Sequence, residues 1–159
     1  MAFWLQIQAD YGSESLQNVH PDREAAGGKA VCAFLDGLQV HCSWTEEDPR
    51  KHPELTAVEA WYRVLEQYTG TSLSSTCGAL LDCMWGEGDD PLESSENWKA
   101  IDEVTRGVRI LLDAFRNSKV QPLEGFYEPE NTIPDFEALL ANLELLARRG
   151  NKVVRLNFY

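Results

Sequence analysis

The sequence predicts an α+β fold, in which residues 1–159 form a single domain. We expect a mostly antiparallel sheet of about four strands, packed by about four helices. Three observations support this prediction. Apolar residues alternate at both ends of the chain, an Asp-Gly pair lies between two apolar runs near residue 36, and four stretches repeat apolar residues at helical spacing. The 43% hydrophobic and 25% charged content is ordinary for a globular protein of this length.

The predicted strands lie at the two ends of the chain and in one internal hairpin. Alternation of apolar and polar residues over 3–8 and over 152–159 predicts a strand at each end. Residues 29–44 predict a β-hairpin, because Asp36 and Gly37 can supply the positive φ angles of a two-residue turn. These segments together account for the four strands.

The predicted helices follow from apolar residues that recur every three or four positions and from capping residues at their ends. Their bounds are about 56–70, 74–86, 95–117 and 132–150. Trp98 lies on the apolar stripe of the third of these segments, so we expect its ring to be buried.

The charge of the chain indicates what kind of partner it binds. With 26 acidic and 14 basic residues, the net charge is −12. Such an excess opposes nonspecific attraction to nucleic acid phosphates or to an anionic membrane. We therefore expect a basic protein partner, no direct contact with nucleic acid and no membrane association. The chain itself is expected to be a monomer or a weak dimer.

Acidic residues and aromatic residues concentrate in two loops. The first, Glu87–Glu93, follows Trp85 and contains Gly88 and Pro91. The second, around residues 124–130, mixes carboxylates with two aromatic residues that we expect to be exposed anchors. We expect the two loops to bind one partner together. The predicted partner-binding residues are Trp85, Glu87, Asp89, Asp90, Glu93, Phe126, Tyr127, Glu128 and Glu130.

The sequence offers one weak candidate for catalysis. The predicted hairpin places Cys32 opposite His41, and a thiol beside an imidazole can become a nucleophilic thiolate. The chain has no CxxC pair and no HExxH motif, so we predict neither a metal site nor a cofactor. The first ten residues lack the basic flank of a secretory signal, so we expect a cytoplasmic protein with reduced thiols.

In length, acidity, αβ pattern and acidic-aromatic loops, the whole chain resembles the immunity proteins of bacterial polymorphic-toxin systems, which include contact-dependent growth-inhibition and type VI secretion families. The resemblance implies a non-enzymatic inhibitor that binds and neutralises one cognate basic toxin, often a nuclease. The same features are compatible with a phage-encoded inhibitor or nucleic-acid mimic that acts on a host defence complex. They also leave open a small enzyme that uses Cys32 and His41, and a structural subunit of a larger assembly.

Overall fold

The computed structural model describes residues 5–9, 12–15, 28–41, 53–70, 73–86 and 98–158. These residues form a mixture of helices and strands, which confirms the predicted α+β class. None of the described helices has both the length and the apolar character needed to cross a membrane. The strands are β1 (Leu5–Ala9), β2 (Gly12–Ser15), β3 (Met84–Gly86), β4 (Lys99–Ala100) and β5 (Val153–Phe158), and the helices are α1 (Lys29–His41), α2 (Pro53–Thr69), α3 (Leu73–Asp82), α4 (Ile101–Asn117) and α5 (Pro129–Arg148).

Helix α1 occupies the segment predicted as a hairpin, so the hairpin over residues 29–44 is wrong; residues 42–44 lie outside the described residues. The apolar residues of this segment fit both an alternating pattern and a helical one, and the helical pattern determines the fold. The Asp36-Gly37 pair lies inside the helix and forms no hairpin turn. Four side chains at helical spacing are 0% exposed: Val31, Phe34, Leu35 and Leu38.

Strand β5 is the centre of the sheet. It pairs antiparallel with β1, which pairs antiparallel with β2, and its other edge pairs with the short strands β3 and β4. Only the β3 pairing is parallel, so the sheet of the described residues is mostly antiparallel, and strands at both ends of the chain are confirmed. Val154 and Leu156 belong to the hydrophobic core, and the intervening Arg155 is also only 2% exposed. Both faces of β5 are therefore covered.

Helices α2 to α5 confirm the four predicted helical segments, with shifted ends. Helix α2 begins at Pro53 and α5 at Pro129, each three residues earlier than predicted. Helix α3 ends at Asp82 and α4 begins at Ile101, because the short strands β3 and β4 pair with β5. Trp98 therefore lies before α4 and not within it. The predicted stripe of α4 is otherwise buried: Ile101, Val104, Thr105, Val108, Leu111, Leu112 and Phe115.

An aromatic cluster joins four of the helices. The ring of Phe34, on α1, lies at its centre, with five aromatic rings at centroid distances between 4.9 and 6.2 Å. Edge-to-face and offset contacts of this kind add stability beyond the area that the rings bury. The surrounding rings are Trp61 on α2, Phe115 on α4, Phe126 and Tyr127 from the loop after α4, and Phe136 on α5.

Helices α4 and α5 run antiparallel. Arg109 contacts Glu144 at 3.2 Å, and Arg116 contacts Glu137 at 3.7 Å. These side chains are about half exposed, so each ion pair contributes little stability, less than about 1 kcal/mol. The pairs nevertheless show the alignment of the helices: the end of α4 lies beside the start of α5, and the start of α4 lies beside the end of α5.

We predict that Phe34→Ala destabilises the protein by about 3–5 kcal/mol, because it removes a large buried ring that five others contact. Unfolding in denaturant, followed by circular dichroism, measures the change. Tyr68→Ala is the control, since Tyr68 is 47% exposed and its loss is expected to cost less than about 0.5 kcal/mol. Equal effects of the two substitutions would contradict the central place of Phe34.

Candidate acidic binding surface

The structure describes part of the predicted binding surface. Trp85 lies on β3, where its backbone is in register with Asn157 of β5. The four acidic residues of the first loop lie outside the described residues, so their role stays a prediction: Glu87, Asp89, Asp90 and Glu93. The predicted residues of the second loop are described and lie close together between α4 and the first turn of α5: Phe126, Tyr127, Glu128 and Glu130.

The second loop contains a tight hydrogen-bonded turn. The Leu123 N–H donates to the Tyr127 carbonyl at 2.9 Å, and the N–H groups of Tyr127 and Phe126 both donate to the Leu123 carbonyl at 3.0 Å. Gly125 has a φ of 81°, which fits the third position of a type II turn, where a side chain would be strained. The sequence Leu-Glu-Gly-Phe therefore closes the turn through its own backbone.

The inner side of the turn is aromatic, which corrects the expectation that its two rings are exposed anchors. Phe126 is 6% exposed and Tyr127 is 3% exposed. Phe126 stacks on Phe34 at 5.0 Å, and Tyr127 lies 4.7 Å from Trp61. Burial among these rings also raises the pKa of the Tyr127 hydroxyl above its ordinary value. Both rings therefore fix the turn to the core, and the surface that a partner could touch is left to the acidic side chains.

The start of α5 holds the other end of the loop. The Glu128 N–H donates to the Thr132 hydroxyl at 3.0 Å, while the Thr132 N–H donates to the Glu128 carbonyl at 2.7 Å. Pro129 lies in the first turn of the helix, where its missing N–H leaves no bond unmade. The Glu128 carboxylate accepts a longer bond, 3.4 Å, from the Gly125 N–H. This contact ties the turn to the helix.

We call Glu124, Glu128 and Glu130 the acidic ridge. Glu124 and Glu130 are exposed and Glu128 is half-buried, so all three carboxylates lie at or near the surface. Ionised carboxylates at such positions accept charge-assisted hydrogen bonds from lysine or arginine, and arginine can bind one in a bidentate manner. The ridge can therefore contact a basic surface without any change in the fold.

A cleft of about 580 Å³ separates the ridge from the start of α1. Asp135, on α5, accepts a hydrogen bond of 3.1 Å from the Ala30 N–H and so caps α1 from a neighbouring helix. No local pattern in the sequence predicts this contact, because the two residues are 105 positions apart. The charged and polar lining consists of Lys29, Glu124, Glu128, Asn131 and Asp135, so the cleft has one cation and three carboxylates.

The described ends of the first acidic loop lie far from the ridge. These ends are β3 on one side and the segment from Trp98 to β4 on the other. Strand β4 directly precedes α4, and the N–H of the first helical residue, Ile101, donates to the Lys152 carbonyl at 2.9 Å. The ridge instead lies at the other end of α4, where Phe115 contacts Tyr127 at 5.4 Å. Ile101 and Phe115 are 14 residues apart, which is about 21 Å along a helix. The structure therefore does not bring the described ends of the first loop to the ridge.

Trp98 covers a buried cation. The Arg155 guanidinium lies 4.5 Å from the centre of the Trp98 ring, and its Nε donates to Gln8 Oε1 at 2.8 Å. Cation–π contacts are favourable, more so when water is excluded. Trp98 is only partly buried, and its partner is the sheet rather than the helical core that the sequence predicted. The Trp98 contact therefore holds the chain against β5 at the first described residue after the first acidic loop.

The predicted hairpin pairing of Cys32 with His41 is wrong. The two residues lie nine positions apart on α1, about 13.5 Å along the helix axis. Burial, together with the charge of Asp36, raises the pKa of the Cys32 thiol from 9.0 to about 11. At neutral pH this thiol is protonated and is a poor nucleophile.

A second cleft, of about 690 Å³, lies between the start of α4 and the end of α5. Three arginines and three carboxylates line it, so its formal charges balance, in contrast to the cleft beside the ridge. The charged lining residues are Asp102, Glu103, Arg106, Arg109, Glu144 and Arg148.

We predict that stability falls as the pH rises above 9, because burial raises the pKa of Cys32 to about 11 and that of Cys83 to about 12. A thiol whose pKa is higher in the folded state than in the unfolded state adds to the stability of the fold below pH 9. This contribution is lost as the pH rises through the pKa of the folded state. Denaturant midpoints at pH 8 and at pH 10.5 measure the fall. Replacing both cysteines by alanine should flatten the dependence, whereas an unchanged slope would contradict it.

Comparisons of the chain with protein-family models, with curated proteins and with solved structures found no match. Among the described residues, no group of three or more histidine, cysteine, aspartate or glutamate side chains is arranged to hold a metal ion. The acidic ridge and the turn that carries it are the features from which a function can be inferred.

Proposed function

We propose that this chain is a non-enzymatic inhibitor that binds and neutralises a basic protein, a cognate toxin domain, through the acidic ridge. One observation carries the proposal: the exposed carboxylates of Glu124 and Glu130 flank a turn whose two aromatic rings are buried in the core. The toxin as partner follows the resemblance to immunity proteins, and the net charge of −12 supports a basic binding surface.

The buried rings favour tight binding by limiting the motion of the ridge. Ordering a flexible loop on association costs conformational entropy, which reduces the affinity that its contacts can give. Here the backbone hydrogen bonds of the turn and the stacking of Phe126 hold the loop before any partner arrives. The carboxylates also attract a basic partner at a distance, so association is expected to be fast and to weaken as salt rises.

The first acidic loop adds a second set of candidate contacts to the proposal. Glu87, Asp89, Asp90 and Glu93, together with Trp85, would also bind the partner. Only the two ends of this loop are described, and they lie at the other end of α4 from the ridge. Testing the two surfaces with separate variants distinguishes their contributions.

The test compares charge-reversal variants in binding and in protection. Glu124→Lys/Glu130→Lys avoids Glu128, whose carboxylate accepts a bond within the turn. We predict that it raises the dissociation constant for a toxin captured from the source organism about tenfold or more, because repulsion replaces two attractive contacts. The captured protein should arrest growth when expressed alone, and the wild-type chain should prevent the arrest better than the variant does.

Glu66→Lys/Gln67→Lys/Tyr68→Lys is the matched control, since it makes the same change in net charge at three consecutive exposed positions on α2, away from both acidic loops in the sequence. It should bind almost as the wild type does. Asp89→Lys/Asp90→Lys/Glu93→Lys tests the first loop in the same assay. Equal affinity of the ridge variant and the control would contradict the ridge as the binding surface, and a captured partner without toxicity would contradict the toxin.

A further inference from the structure

Helix α1 has a glycine where the acidic turn meets it. An ideal Cβ built on Gly37 would lie 2.4 Å from Cδ2 and 2.6 Å from Cε2 of the Phe126 ring. Real Cβ atoms essentially never approach other atoms so closely, so the ring occupies the space that a side chain at this position would need. Glycine is a poor helix former, and its presence in the middle of α1 is explained by this contact.

We propose that Gly37 is a positioning residue for the acidic ridge: by admitting the Phe126 ring, it sets where the turn sits on α1 and so where the ridge carboxylates lie. Gly37 does not belong to the ridge and contacts no partner in this proposal. The inference rests on the proposed function, since it assigns Gly37 a role in binding at that surface.

The ring is also held by its aromatic neighbours. It stacks on Phe34 at 5.0 Å with an interplanar angle of 16°. Tyr127, the next residue, is held by Trp61 at 4.7 Å and by Phe115 at 5.4 Å. A methyl group at position 37 must therefore lift the ring away from α1, and the turn moves with it.

The carboxylates of Glu124 and Glu128 would move with the Phe126 ring, because both residues belong to the same turn. Glu124 lies two positions before Phe126, and Glu128 lies two positions after it. The Gly125 N–H, which donates to the Glu128 carboxylate at 3.4 Å, belongs to the same turn. Lifting Phe126 thus changes the spacing of the ridge as well as its height above α1.

Amide hydrogen exchange tests the positioning without a partner. The readout is the exchange of the Phe126 and Tyr127 amides divided by that of the Leu111 and Leu112 amides of α4, so that a uniform loss of stability cancels. We predict that Gly37→Ala raises this ratio about tenfold or more. Gly78→Ala is the matched control: Gly78 lies within α3, an added Cβ there meets nothing within 4 Å, and the ratio should stay within about twofold of the wild type.

A second pair of variants decides the question even if Gly37→Ala does not fold. Phe126→Leu removes the ring, so adding Gly37→Ala to it should change the ratio little, and the two substitutions should be strongly non-additive. A wild-type ratio in Gly37→Ala, or an unchanged effect of the alanine in the Phe126→Leu background, would overturn the positioning of the turn.

Binding to the captured partner then separates this inference from the proposed function. Gly37→Ala should raise the dissociation constant about tenfold, and Gly78→Ala should leave it unchanged. If the turn is displaced and the affinity is unchanged while Glu124→Lys/Glu130→Lys still weakens binding, the role of Gly37 in binding is wrong and the proposed function stands. If reversing the ridge charges has no effect either, the proposed function is wrong.

Discussion

The contact between Phe34 and the rings around it links the main parts of this molecule. It joins α1 to α2, α4 and α5, and through Phe126 it fixes the acidic turn to the same core. The turn has only a few backbone hydrogen bonds of its own, which would not hold it against the body of the protein. Both the packing of the helices and the place of the ridge therefore depend on this cluster.

The arrangement divides the second loop between two tasks. Its apolar residues contribute to the stability of the fold, and its carboxylates remain at the surface, where their charge can act on a partner. A surface held in this way binds with a smaller loss of conformational entropy than a mobile acidic loop of the same composition. It also makes the ridge sensitive to changes outside the loop, because Gly37, on α1, contacts the Phe126 ring of the turn.

The sequence predicts much of this fold from its clear periodicities. The long apolar stripes of α4 and α5 and the alternation in β5 each match one kind of element, and the structure confirms the type of each. Residues 29–41 match both a helix and a hairpin, and the Asp-Gly pair favours the hairpin, which is wrong. Nothing in the neighbouring sequence shows that Gly37 instead makes room for the ring of Phe126, 89 positions away. The burial of Phe126 and Tyr127 escapes prediction for the same reason: their partners are distant in sequence, and their acidic neighbours suggest an exposed loop.

The most direct test of the contact between α1 and the acidic turn is a nuclear Overhauser measurement on the intact chain. We predict strong effects between the ring protons of Phe126 and the two Hα protons of Gly37, together with sequential amide–amide effects along Lys29–His41. A β-hairpin at this place would instead give effects between the Hα protons of a non-hydrogen-bonded pair on facing strands, such as Phe34 and Gln39, and none between Gly37 and Phe126. That second result would contradict both the helix α1 and the contact of the acidic turn with it.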